Sequence, residues 1–204
     1  MTDRRLFRTP ISIGLLSGGL AGAVGIVSTV IEARLETSLD GYNLLWNLTA
    51  VATLLLHFML PAILVRQSAR LIVLLLLRIT VFFFVAFAFP LMFLVDGWSF
   101  LANNTQVYWL IWNVLYSIGF GLLLGYALTR IYRHEKLLWP ALRWGVFSSI
   151  GNVLLQFALA YVYIYLVDTN EDWWAGIAMA TAVAQVIQGA LAAVPFERQK
   201  LVAN

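Results

Sequence analysis

One arginine, Arg78, interrupts an apolar stretch that runs from Leu71 to Val95. A charge inside hydrocarbon costs roughly 2.5–3.5 kcal/mol on insertion scales, so its presence asks for a partner. A guanidinium withdrawn from water, with no carboxylate at its level, favours an anion such as a phosphate or carboxylate, which it grips with two parallel hydrogen bonds. Four further polar side chains lie within apolar runs: His57, Asn152, Gln185 and Gln188. Their imidazole and carboxamide groups both donate and accept hydrogen bonds, which suits recognition of a small solute. Spacing joins them to longer polar rows: Thr49, Thr53 and His57; Ser148, Asn152 and Gln156; Thr181, Gln185 and Gln188. Each row repeats every three or four residues, so on a helix it faces one way.

Depth places these groups in one layer. Counted from the nearest flanking basic residue at 1.5 Å per helical residue, Arg78 lies roughly 12 Å in, His57 and Asn152 roughly 13 Å, and Gln188 roughly 15 Å. Polar faces are costly against lipid, so four helices are expected to turn them toward a common interior. Two readings stay open. In one, Arg78 is the electropositive centre of a small polar pocket open to the cytoplasm. In the other, the amides and imidazole hold the bundle together, each contact adding about 0.6 kcal/mol, and Arg78 snorkels to the headgroups.

The elements that position these residues are membrane spans. The chain is 62% hydrophobic and 11% charged; about 25% charged residues is usual for a soluble domain. Six apolar runs can be drawn, at 11–31, 44–65, 71–95, 107–129, 144–167 and 173–195. Each approaches or exceeds the roughly 20 residues needed to cross a bilayer. The expected architecture is therefore all-α: a single domain, residues 1–204, forming a bundle of six transmembrane helices.

Charge sets the orientation. Eleven of the 13 basic residues fall at the N-terminus (Arg4, Arg5, Arg8), in the second–third loop (Arg66, Arg70), in the fourth–fifth loop (Arg130, Arg133, Lys136, Arg143) and in the tail (Arg198, Lys200). The opposite segments hold Arg34 and seven acids. By the positive-inside rule both termini are expected in the cytoplasm, with Asp96–Gln106 and Asp168–Asp172 facing outward. A bacterial inner membrane is the expected location. The paired Arg4-Arg5 is read as anchoring, because no convincing cleavage site follows it. The net charge of +3 is explained by this topology, so nucleic acid is not expected as a partner.

Small residues supply a second pattern. The first helix carries Gly14, Gly18 and Gly22 at four-residue spacing, beside Ser17, Ala21 and Gly25; the fourth carries Ser117, Gly121 and Gly125. Such rows let helix backbones approach closely in lipid. They predict tight packing within the chain or docking onto another membrane subunit. Their matching placement is also the pattern of two inverted three-helix halves. Pro61 and Pro90 free the carbonyls of His57 and Ala86 and are expected to bend their helices.

No catalytic constellation is present. Cysteine is absent and the histidines are His57 and His134 alone, so no cofactor or metal site is read. Rhomboid proteases share a six-helix core but need a Gly-x-Ser-Gly nucleophile; Gly119-Phe120-Gly121-Leu122 stands in the fourth helix here. Arg133-His134-Glu135 is similar to the basic-histidine motif of membrane methyltransferases, without its proline and downstream glutamates. An enzyme is not expected. In size, topology and first-helix glycines the chain resembles the substrate-binding subunits of energy-coupling-factor transporters, an architectural likeness that no residue motif carries. The expected function is binding or transport of a small solute, anionic if Arg78 grips it, by itself or as a transporter's membrane subunit. The alternative is a non-catalytic scaffold or assembly subunit packing against partner helices.

Overall fold

A computed structural model describes residues 9–35, 39–82, 85, 105–167 and 173–200. These residues are helical almost throughout. The elements are α1 (Pro10–Leu35), α2 (Leu39–Leu64), α3 (Ala69–Val81), α4 (Thr105–Tyr132), a 3-10 turn (Glu135–Leu137), α5 (Leu138–Val167) and α6 (Trp173–Lys200). Four of them, α1, α4, α5 and α6, contain spans long and apolar enough to cross a membrane. In α2 the described apolar stretch is the shorter Ala52–Leu64. For the third expected span the described helix ends at Val81. Pro90 and the segments 96–104 and 168–172 lie outside the described residues. The outer faces carry large apolar side chains, among them Val27, Leu77, Phe147, Leu154 and Met179. That is the surface of a protein solvated by lipid.

Close contacts fix the order of the helices. A Cβ placed on Gly14, Gly18 or Gly22 would lie 2.2–2.8 Å from backbone atoms of Gly189, Gln185 and Ala182. The two series run in opposite directions, so α1 and α6 are antiparallel with their backbones in contact. Gly121 and Gly125 meet the backbones of Gly145 and Ala141 in the same way, pairing α4 with α5. The α5–α6, α1–α2 and α2–α4 contacts complete a ring of five helices, with α3 attached outside it to α2 and α4. The small-residue rows are thus consumed within the chain. Their use does not follow two inverted halves. That symmetry would map the α1–α6 pair onto α4–α3, whereas the glycines of α4 face α5.

The ends of the helices are tied with care. At α1, Thr9 and Ser12 exchange backbone and side-chain hydrogen bonds in a reciprocal cap, and the amide of Ile11 donates to Glu197 Oε2 of α6 at 3.2 Å. Both α2 and α4 end in Schellman turns. Gln67 N–H donates to Ala62 and Arg66 N–H to Ile63; His134 N–H donates to Thr129 and Arg133 N–H to Arg130. Arg66 and Arg133 hold the left-handed position, at φ 59° and 57°, where glycine is usual. Gln67 then clasps the two turns together, donating to the Ile131 carbonyl at 2.5 Å and accepting from Arg133 at 3.1 Å.

Two boundaries depart from expectation. The fifth helix begins at Leu138 and includes Pro140 in its first turn, a position that tolerates proline. The sixth continues through Pro195 to Lys200.

Candidate functional site

The ring encloses two kinds of interior. Near the end that carries Arg66, Arg133 and the first and last described residues, it is plugged by apolar side chains. Phe58, Ile79, Leu124, Ile131, Ala141 and Phe196 belong to that cluster. Toward the opposite end lies a cavity of about 500 Å³, walled by α1, α2, α4, α5 and α6. This volume falls within the range of about 300–1,000 Å³ typical of ligand sites. Among the described residues its polar wall consists of hydroxyls and carboxamides without a charged side chain: Ser28 and Thr29 from α1, Thr49 and Thr53 from α2, Asn113 and Ser117 from α4, Asn152 and Gln156 from α5, Thr181, Gln185 and Gln188 from α6.

A chain of hydrogen bonds lines its floor. Gln156 Nε2 donates to Asn152 Oδ1 at 2.8 Å, Asn152 Nδ2 donates to Gln188 Oε1, and Gln188 Nε2 donates to Ser149 Oγ at 2.8 Å. Beside it, His57 Nε2 lies 2.9 Å from Gln185 Oε1, within hydrogen-bond distance. The His57 ring is buried edge-on against Phe120 at 6.0 Å, where the cavity meets the apolar plug. Hydroxyls that face into helices are satisfied along their own backbones. Ser17 donates to Gly14, Thr29 to Gly25, Ser117 to Asn113 and Ser148 to Gly145, all at 2.7–3.0 Å. Among the described residues no buried side-chain polar atom lacks a partner, as a water-poor interior requires.

The structure therefore brings together four of the five expected pocket residues, His57, Asn152, Gln185 and Gln188. Arg78 is not among them. It is exposed on α3, in a separate crevice against Leu122, Leu123 and Tyr126 of α4 and Leu142 of α5. The physical reason is the position of α3, which stands outside the ring and contributes no residue to the cavity wall. The cavity also extends the other way from expectation. Its floor is the carboxamide layer, and the apolar plug closes it toward the basic end of the bundle.

Other wall residues carried too faint a signal to be singled out. Ser28, Thr29, Asn113 and Tyr116 complete the lining. Ser28 and Thr29 do continue the α1 face that begins with Ser17, Ala21 and Gly25. Ser117, expected as a packing residue, lines the cavity, while Gly121 and Gly125 one and two turns on make the helix contact. No protein-family model matches the chain, and neither a curated protein nor a solved structure is significantly similar to it.

Proposed function

We propose that this chain is a six-span protein of the bacterial inner membrane, both termini cytoplasmic, that binds or carries a small uncharged solute within its helix ring. One observation carries the reading: a cavity of about 500 Å³ inside the ring, whose polar wall among the described residues is hydroxyl, phenol and carboxamide. Water held there alone would need no such spread of donors and acceptors across five helices. A neutral solute that both donates and accepts hydrogen bonds fits it. Among the described residues an anion finds no cation in that wall, because Arg78 stands elsewhere. The orientation rests on the basic residues gathered at the Arg66 and Arg133 end.

Thermal unfolding of the full chain in mild detergent tests the proposal. The probes are size-matched panels of polyols, amides and neutral heterocycles, against carboxylates and phosphates. A solute at a hundred times its Kd stabilises by about 2.7 kcal/mol, or roughly 5–10 °C at this chain length. Neutral members should raise the midpoint, and Ala160→Trp, which fills the wall, should abolish the rise. A shift by anions alone, or one indifferent to Ala160→Trp, refutes the reading. The scaffold alternative would need a surface other than Gly14, Gly18, Gly22, Gly121 and Gly125, which already face other helices of the chain.

A further inference from the structure

The crevice that holds Arg78 has its own character. It measures about 760 Å³ and lies between α3 on one side and α4 and α5 on the other. Leu77 and Val81 of α3, with Val85 beyond its end, form one wall; Leu122, Tyr126 and Leu142 form the opposite one. Leu77, Val81 and Val85 are 52–66% exposed, so the crevice opens sideways onto the lipid-facing surface and not into the ring. Arg78 is the one charged residue among the described residues of the wall. Among the described residues it forms no ion pair.

Charge and shape point the same way. Arg70 stands two turns from Arg78 toward the basic end of α3, and Arg143 follows Leu142 directly. Both are exposed. Glu135, in the turn between α4 and α5, is already paired with Arg130, which also lies 5.4 Å over the Tyr126 ring. A sideways apolar slot that holds a guanidinium without an ion pair among the described residues, with two further exposed arginines on the helices that wall it, complements one class of molecule. We propose that it seats an anionic phospholipid of the adjoining leaflet, an acyl chain against Leu77, Val81 and Leu122 and the phosphate on Arg78. Basic pockets between membrane helices recognise anionic headgroups through this combination of charge and apolar contact. The guanidinium fork matches a phosphate with two oxygens.

Native mass spectrometry of the full chain in mild detergent provides the test, with equimolar dioleoyl-phosphatidylglycerol and dioleoyl-phosphatidylcholine as probes. The two lipids share acyl chains and differ in net charge. Wild type should retain the glycerol lipid in preference by about fivefold, the effect of one basic residue near an anionic headgroup. Arg78→Gln should bring the ratio to parity without moving the thermal midpoint, and Arg78→Lys should keep part of the preference. Arg198→Gln, which removes an exposed charge on α6, should leave the ratio unchanged. Val81→Trp should lower retention of both lipids by filling the slot. Parity in wild type, or a preference that survives Arg78→Gln, overturns the proposal. So does complete displacement of the glycerol lipid by equimolar oleate, which would assign the slot to a free fatty acid.

Discussion

Adding a single methyl group to Gly18 should damage this protein more than most larger changes on its surface. The new Cβ would lie 2.2 Å from the carbonyl oxygen of Gln185 and 2.8 Å from Cα of Val186. Ordinary contact begins at 3.4 Å, so α1 and α6 must separate by roughly 1.2 Å. Both clashing atoms are backbone, and neither can rotate away. Overpacking of this kind costs about 1–3 kcal/mol, offset by up to about 1 kcal/mol from alanine's better helix propensity. A net loss of about 1–2 kcal/mol corresponds to a midpoint lower by roughly 2–8 °C for a chain of this length. The displacement also carries Gln185 away from His57, so the variant weakens a hydrogen bond at the cavity as well. The internal control is the next residue. A Cβ on Gly19 meets nothing within 4 Å, so Gly19→Ala should leave stability unchanged or raise it by about 0.5–1 kcal/mol. The assay is thermal unfolding in detergent followed by tryptophan fluorescence, with both variants run beside wild type. If Gly18→Ala melts at or above wild type, the backbone contact between α1 and α6 is wrong.

Other consequences can be checked as simply. Asn152→Leu keeps the branched outline of the side chain but strands Gln188 and Gln156, which should cost about 1–3 kcal/mol in the same melt; an unchanged midpoint would show that the carboxamide chain is not formed. Arg66→Gly relieves a left-handed residue whose side chain makes no hydrogen bond among the described residues, and should stabilise by about 1 kcal/mol. Arg133→Gly should gain less, because it forfeits the bond to Gln67; equal gains would argue against the clasp. A cysteine placed at Lys136 should resist a membrane-impermeant maleimide in intact cells and react after lysis, and the reverse pattern would invert the proposed topology.

Height along the bundle was legible in the sequence; rotation around it was not. Counting residues from flanking charges put His57, Asn152 and Gln188 in one layer, and their hydrogen-bonded neighbours meet there. The same count put Arg78 at that level, but a depth says nothing of whether a helix stands in the ring or beside it. The row spacing around Gly14, Gly18 and Gly22 showed a close-packing face without naming its partner, since a distant helix leaves no trace in local periodicity. The helix ends were harder still. Pro195 looks like a stop, yet proline removes one amide and crowds one turn, and α6 absorbs both. The Schellman turns at Arg66 and Arg133 lacked their usual glycine signature, because those positions carry arginine.

The bond from Ile11 to Glu197 joins residues 186 positions apart, and the glycine contact beside it is almost as distant. Membrane helices insert first and associate afterwards. At synthesis rates of about 5–20 residues per second, α1 therefore waits roughly 10–40 s in the bilayer before its partner exists. During that interval its glycine face has lipid as its neighbour. The ring closes when α6 meets α1. A ribosome that stalls before α6 leaves behind a ring with its seam open.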